Sequence, residues 1–336
     1  MKRTVVSFAL LLAALVVSMI LAASLGDGHL TFARTVSALR AGVGSESPDA
    51  VIVWQIRLPR ILLAALVGAS LAASGTAFQS LLRNDLADPF LVGVSAGASV
   101  GAEAVLLRHR EDTLHGFAVP FSAFAAAAAA MTLVYAIARR GGRILVTSLL
   151  LGGVVVSAFL GSVSVLLLTL AHPNDLQRIQ YRLNGSLADA TYGQCVITLV
   201  FFIFGFALLL LQARAMNLYA LGEEAAQHLG LEAERFKTGL ILTGSLLAAV
   251  TVAVAGIIGF VGLMVPHIAR RLSGTPDHRR VLPLAALAGA VLMVWADTVA
   301  RTAFPDGREL PVGLVTAFLG APFFLSLLRR HTRHGA

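Results

Sequence analysis

The chain has 336 residues, of which 57% are hydrophobic and only 13% charged, and its formal net charge is +8. Its mean hydropathy of +0.82 lies well beyond the range of soluble domains, and several apolar runs exceed the roughly 18 residues that span a bilayer. The single cysteine, Cys195, lies in an apolar run, which excludes a disulfide framework and a cysteine metal site. The sequence therefore predicts one all-α polytopic membrane domain over residues 1–336, with no metal or cofactor of its own.

The first apolar segment, Met1–Ser24, has two interpretations. Ala22-Ala23-Ser24 would be an acceptable cleavage site for a signal peptide. The apolar stretch, however, is near 20 residues, which is longer than a usual signal core and favours a retained first helix.

Further membrane spans follow with no soluble domain between them. The predicted spans are 61–81, 90–107, 117–138, 144–170, 192–212, 281–300 and 311–328. The run 239–269 would be about 46 Å long as one helix, against a hydrocarbon core of about 30 Å. We expect it to turn back near Gly256–Gly259 and to cross twice, the second time with a short helix. The total is ten helices with both chain ends on the cytoplasmic side.

Basic residues give this topology its orientation, because cytoplasmic loops carry an excess of lysine and arginine. The predicted topology places 16 of the 26 basic residues inside. They are Lys2, Arg3, Arg83, Arg139, Arg140, Arg143, Arg214, Arg235, Lys237, Arg270, Arg271, Arg279, Arg280, Arg329, Arg330 and Arg333. The arginines outside are more numerous than topology requires, so we expect them to form a docking surface for an acidic partner.

The segment GVSAGASVG places Gly93, Gly97 and Gly101 four residues apart, which predicts close packing of one helix face. It also contains a formal G-x-S-x-G match around Ser99. A serine nucleophile needs a strand-to-helix elbow and a base, for which His267, following Pro266, would be a distant candidate; a hydrogen-bonded packing role for His267 is the simpler interpretation.

Ionisable residues within the spans are few. Glu103 and Asp297 are predicted near the outer helix ends, where reaching toward the interface is the simplest role. For Glu103 a position along a transport path is the alternative.

A polar segment, ALGEEAAQHLGL at residues 220–231, interrupts this apolar sequence. Glu223 and Glu224 would begin a short helix, where the helix dipole favours negative charge, and Gly230 would end it. It lies in the longest predicted cytoplasmic connection, residues 213–237. An interfacial helix and a docking element for a soluble partner are both compatible with it. The chain has no P-loop, since Phe236 stands where the glycine before Lys237 should be.

The chain resembles the FecCD family, the permease subunits of type II ATP-binding-cassette (ABC) importers for ferric siderophores, haem and cobalamin. The resemblance is carried, in order, by RLPR at 57–60, the following segment to GVSAGASVGA, LGEEAAQHLGL, IGFVGLMVPHIARRLSG, DHRRVLPL, ADTVAR and ELPVGLVTAFLGAPFFLSLLRR. These motifs extend over nearly the whole chain.

The resemblance implies a homodimer of ten-helix subunits, or a pseudo-heterodimer, with a transport path on the dimer axis. Two cytoplasmic ATPases, which would bind ATP and magnesium, and a substrate-binding protein on the other side complete the assembly. It assigns ATPase coupling to Leu221, Gly222, Glu223, Glu224, Ala225, Ala226, Gly230 and Leu231, and binding-protein docking to Arg57, Arg60 and Arg301.

Two departures and two rival functions accompany the resemblance. Asp85 stands where the family usually has proline, and FPDGRE at 304–309 alters the last external loop. A secondary transporter would need ionisable groups at the membrane midplane, of which there are few, and an intramembrane protease would need Ser99 and His267. No motif fixes the substrate; a ferric siderophore is the first expectation, with haem and cobalamin open.

Overall fold

The protein is described by a computed structural model over residues 2–26, 31–45, 47–108, 113–304 and 307–334, and these residues are almost entirely helical. The helices are α1 (Lys2–Ser24), α2 (Phe32–Ala41), α3 (Pro48–Val51), α4 (Leu58–Leu82), α5 (Val94–Leu106), α6 (Ala118–Ala138), α7 (Val146–Thr169), α8 (Pro173–Leu183), α9 (Tyr192–Tyr219), α10 (Glu223–His228), α11 (Ala233–Ala255), α12 (Val261–Ser273), α13 (His278–Thr302) and α14 (Val312–His334). A hairpin of two two-residue strands, β1 (Arg139–Arg140) and β2 (Arg143–Ile144), connects α6 to α7.

Each of the ten predicted spans corresponds to a helix, namely α1, α4 to α7, α9 and α11 to α14. Among the described residues, seven helical segments are long and apolar enough to cross a membrane, and α5 and the part Val312–Leu327 of α14 are shorter apolar segments. At 13 residues each, α5 and α12 are about 20 Å long, less than the hydrocarbon thickness of about 30 Å. The fold class is confirmed, although not every helix is long enough to cross alone.

The long apolar run 239–269 is broken where it was predicted to turn. Gly256 ends α11 with φ +72°, and Phe260 precedes α12 with φ +68°. The backbone between them hydrogen-bonds the end of α8, since Ile257 N–H donates to Leu183 O at 3.1 Å. A backbone turn inside an apolar region is tolerated when other protein groups accept or donate the hydrogen bonds of its N–H and C=O groups.

Helix α4 forms the centre of the bundle and is buried over most of its length. Its glycines allow two other helices to approach closely: a Cβ at Gly68 would lie 2.1 Å from Gly289 O of α13, and a Cβ at Gly75 would lie 1.9 Å from Gly262 O of α12. Such separations leave no room for a side chain, so small residues fix these crossings.

Polar contacts between helix ends fall into two groups, one at each end of the bundle. At one end they join Arg3 to Arg271, Asp85 to Arg270, Ile144 to Glu234 and Asn217 to His278. At the other they join Ala23 to Arg57, Arg60 to Asp297, Trp54 to Tyr192 and Gly185 to Val312. We call the first the α10 end and the second the opposite end. The grouping matches the alternation of crossings predicted from the sequence.

The opposite end contains elements that the sequence did not predict. They are α2, α3, a π-helical turn over Ile52–Arg57 that leads into α4, and α8. An ion pair between Arg34 and Asp49, at 2.6 Å, and a hydrogen bond from Trp54 Nε1–H to Ala38 O, at 3.1 Å, hold α2 against α3 and the π-helical turn. Pro305 and Asp306, in the loop predicted to be external, lie outside the described residues.

Candidate functional site

The polar segment forms a short helix on the surface of the α10 end. Gly222 precedes it with φ +114° and Gly230 follows it with φ +87°. Backbone bonds from Gly230 N–H to Gln227 O and from Leu231 N–H to Ala226 O, both 2.9 Å, close its last turn. The helix runs from Glu223 to His228, in agreement with the prediction that Glu223 begins it and Gly230 ends it, because glycines with positive φ lie on both sides.

The outer face of α10 combines polar and apolar side chains. Glu224 and Ala225 are exposed, while Ala226 is buried against the bundle. Leu221 and Leu229, on either side of the helix, are 66% and 59% exposed. These leucines lie outside every candidate membrane span of the described residues. Exposed large apolar side chains grouped in this way are typical of a surface that binds a partner.

The inner face of α10 is tied to the bundle through Glu223. Its carboxylate accepts from Lys237 Nζ at 2.9 Å and from the Tyr219 hydroxyl at 3.2 Å. These residues border a cavity of about 280 Å³, whose walls also include Arg83 and Arg143. The helix is thus exposed on one side and held by charge on the other.

At the opposite end, the three predicted docking arginines lie in one buried cluster. Arg60 Nε lies 2.9 and 3.0 Å from the two carboxylate oxygens of Asp297, and its Nη1 lies 2.9 Å from Glu309 Oε1. Arg57 donates to Ala23 O at 2.6 Å. Arg301 donates to Ala22 O and lies 3.9 Å from Asp297. The cluster connects α1, α4 and α13.

The expectation that these arginines form an exposed surface needs correction. Arg57, Arg60 and Arg301 are only 3%, 6% and 6% exposed. Their guanidinium groups bind carboxylates and carbonyl oxygens of the same chain, because burial of a charge requires a partner within reach. Docking of a binding protein through them stays a prediction, and in this conformation they are not presented to one. Asp297 likewise lies inside this cluster and does not reach outward.

The glycines of α5 differ in their surroundings. A Cβ at Gly97 would lie 2.7 Å from Ala126 O, and one at Gly101 would lie 2.4 Å from Ser122 O, both on α6. These two positions therefore set how closely α5 and α6 pack. A Cβ at Gly93 would make only ordinary van der Waals contacts, and Gly93 instead immediately precedes α5 with φ +81°.

Glu103 lies on α5 and is fully buried. Ser164 of α7 donates to one of its carboxylate oxygens, and the other oxygen has no hydrogen-bond partner among the described residues. Glu103 thus joins α5 to α7 in this conformation, and neither the interface nor an open path exposes it. A path-lining role stays a prediction.

The proposed nucleophile Ser99 lacks the geometry of one. It lies inside helix α5, so GASVG forms no strand-to-helix elbow, and its hydroxyl donates to Ser95 O at 3.1 Å. His267 packs its ring edge-on against Phe323, with the ring centroids 5.8 Å apart. Among the described residues, no group of three or more histidine, cysteine, aspartate or glutamate side chains could hold a metal ion.

Sequence reasoning missed two clusters at the α10 end. Lys237 is buried there, and the signal for it was that it is one of only two lysines in a chain rich in arginine. Arg270 Nη2 lies 3.0 Å from Asp85 and also donates to Gln79 Oε1. Asp85, which was recognised only as a departure from the resembling family, therefore ties the end of α4 to α12.

Two carboxyl groups in the connections have shifted pKa values. Burial raises the pKa of Asp88 to about 6, although its carboxylate accepts from Phe90 N–H. For Asp277, burial opposes the shift, but hydrogen bonds from Asn217 and Arg279 hold its pKa below the usual value. Asp88 therefore takes up protons at a higher pH than Asp277 does.

Comparison with known proteins places this geometry in context. Residues 14–330 match the FecCD transport family. The cobalamin import system permease protein BtuC of Halobacterium salinarum is 45% identical over 83% of this chain and 73% of its own length. The hemin transport system permease protein HmuU of Yersinia pestis is 41% identical over 83% of each chain. A metal-chelate type ABC transporter solved in an inward-facing conformation superposes with a TM-score of 0.83, at 29% identity over 97% of this chain and 99% of its own.

Proposed function

This chain belongs to the FecCD transport family, and from that premise we propose that it imports an iron chelate across the bacterial cytoplasmic membrane as the permease subunit of an ABC importer. A ferric siderophore is our first choice of cargo. Haem and cobalamin are the alternatives, and the names of the hemin and cobalamin permeases among its relatives support keeping both. The chain itself is a transport subunit and not an enzyme.

The assembly we propose has four further components. A second copy of the chain, or a closely similar permease, pairs with it around a central path. Two ATPase subunits, which bind ATP and magnesium, dock on the α10 end in the cytoplasm, and a periplasmic or lipid-anchored binding protein delivers the cargo to the opposite end. The excess of arginine at the α10 end supports this orientation, with both chain termini in the cytoplasm.

The observation that carries the proposal is the surface of α10. The helix presents Glu224 and Ala225 together with exposed Leu221 and Leu229, while its inner face is held by Glu223. A soluble partner that moved this helix would act directly on α9 and α11, which precede and follow it along the chain. ATP-driven motion of the partner would thereby bias the bundle between its two access states.

A double substitution, Glu224→Ala with Gly230→Val, tests the coupling. Gly230 has a φ of +87°, which valine disfavours, so the last turn of α10 should distort. We expect normal membrane insertion but loss of ATP-driven uptake in proteoliposomes that contain the cognate ATPase and binding protein. Gly161→Ala is the control, because a Cβ at Gly161 would meet nothing within 4 Å. Wild-type uptake by the double variant would refute the coupling role of α10.

The cargo is tested separately, by titrating the cognate binding protein with a ferric hydroxamate siderophore, hemin and cobalamin. We expect the ferric siderophore to bind most tightly, and the wild-type complex to transport the same compound. Preferential binding of hemin or cobalamin would select the corresponding alternative and leave the transporter class unchanged.

A further inference from the structure

Lys237, in the second turn of α11, is deeply buried at the α10 end, with 2% of its side chain exposed. Its ammonium group meets three acceptors on three different elements. It donates to Ile144 O of β2 at 2.9 Å and to Glu223 Oε1 of α10 at 2.9 Å, and it lies 2.6 Å from Glu234 Oε1 of α11. An ammonium group has three N–H donors, so all three are used.

The contacts close into a ring through Glu234. While one oxygen of this carboxylate faces Lys237, the other accepts from Ile144 N–H at 2.7 Å. Both main-chain polar groups of Ile144 are therefore bound by α11 side chains. A buried lysine held between two carboxylates and a carbonyl fixes the relative positions of the elements that supply them.

The contacts of Lys237 join α10 to the β1–β2 hairpin, which are distant in the sequence. Short connections link α10 to α9 and α11, whereas the hairpin lies between α6 and α7. The 280 Å³ cavity separates the two surfaces, and Lys237, Glu223 and Ile144 all line it. Across this cavity, Lys237 contacts α10 and the hairpin at once.

The hairpin leads into a distinct part of the bundle. Helices α6 and α7, which it connects, pack against α5 through the close contacts at Gly97 and Gly101 and through the Ser164–Glu103 hydrogen bond. Helix α6 also packs on α11, where Tyr135 and Thr238 share a hydrogen bond of 3.2 Å. A displacement of the hairpin would therefore reach α5, α6 and α7 together.

We propose that Lys237 is a positioning residue that locks α10 to the β1–β2 hairpin, so that displacement of α10 by the ATPase also moves α6 and α7. This inference rests on the proposed function, because it assumes that an ATPase acts on α10. It adds a second route, through side-chain contacts, to the covalent route through α9 and α11.

Amide hydrogen–deuterium exchange in the assembled complex tests the lock without an attached probe and without cargo. The permease, with its cognate ATPase and binding protein, is compared with and without ATP, magnesium and vanadate. In the wild type, we expect nucleotide to change the exchange of amides in both α10 and the hairpin. In Lys237→Met, the response of α10 should remain and that of the hairpin should weaken, since only the contact from Glu234 to Ile144 N–H still holds the hairpin to α11.

Arg235→Met provides the matched control. Arg235 is also a basic residue at the start of α11 and pairs with a glutamate three residues earlier, at 2.6 Å from Glu232, but both side chains are largely exposed. It should behave as the wild type. Uptake into proteoliposomes is measured with the compound that the wild type transports, whether ferric hydroxamate, hemin or cobalamin. Lys237→Met should lower the amount transported per ATP hydrolysed by roughly 2- to 30-fold. Lys237→Arg should restore part of this loss.

The outcomes separate the two proposals. If nucleotide leaves the exchange of α10 unchanged in the wild type, the proposed function fails. If α10 responds but the hairpin responds equally in the wild type and Lys237→Met, or in neither, only the lock is refuted. Should Lys237→Met fail to assemble, Glu223→Ala removes the α10 contact and leaves Lys237 bound to Glu234 and Ile144; a hairpin response in that variant equal to the wild type would also refute the lock.

Discussion

The buried cluster at the opposite end predicts a large loss of stability when Asp297 is removed. Asp297 is the partner of Arg60 and lies within 3.9 Å of Arg301, and these three side chains are at most 7% exposed. Asp297→Ala leaves two buried guanidinium groups without their shared carboxylate, although Glu309 still pairs with Arg60 at 2.9 Å. Removing one member of a buried ion pair typically costs about 3–5 kcal/mol, so we expect a loss of that size.

Equilibrium unfolding of the detergent-solubilised permease by SDS would measure this change in free energy. Asp189→Ala is the matched control, because Asp189 pairs with Arg182 at 3.5 Å and its side chain is 80% exposed; it should cost less than about 1 kcal/mol. A loss below about 1 kcal/mol in Asp297→Ala would show that water reaches the cluster. The arginines would then be available to a docking partner, and our reading of them as structural would be refuted.

Two further predictions concern packing and pH. Gly97→Val should destabilise the bundle by about 1–3 kcal/mol or prevent folding, since a Cβ there would lie 2.7 Å from Ala126 O; a thermal midpoint equal to that of Gly161→Ala would contradict the α5–α6 contact. Burial raises the pKa of Asp88 to about 6, above its unfolded value, so its contribution to stability is present below about pH 4 and is lost as pH rises through 6. Asp88→Asn keeps the cap on Phe90 and should stabilise the protein at pH 7 but not at pH 4. The full shift corresponds to about 3 kcal/mol, and the gain should be smaller because Asp88 is partly exposed. Equal unfolding free energies of the two proteins at pH 7 would overturn this assignment.

The course of the chain through the membrane could be predicted because the bilayer acts on each segment separately. Run length and arginine position predicted ten helices, and the glycines at 256 and 259 marked the turn between α11 and α12. The surface helices α2 and α8 were missed, because short amphipathic segments carry no bilayer-length apolar run.

The candidate sites were harder to predict, because their partners are distant in the sequence. Charge counting places Arg60 on one side of the membrane but does not show whether it is buried, and its partner Asp297 is 237 positions away. The role of Lys237 similarly depends on Ile144, 93 positions away. Sequence patterns report local periodicity and side of the membrane, whereas the pairing of buried charges is a property of the assembled bundle.

The short helices α5 and α12 have a consequence for the surrounding lipid. Each is about 10 Å shorter than the hydrocarbon core, so at least one end lies at a depth where exposed main-chain groups would face acyl chains. The turn before α12 avoids this by bonding to Leu183, the last residue of α8, and Gly256 lies so close to Arg182 O that a Cβ would be 2.3 Å away. The segment 182–186 therefore supplies the hydrogen bonds that water would otherwise make with the turn at that depth. Insertions in this segment should let water reach the turn within the membrane.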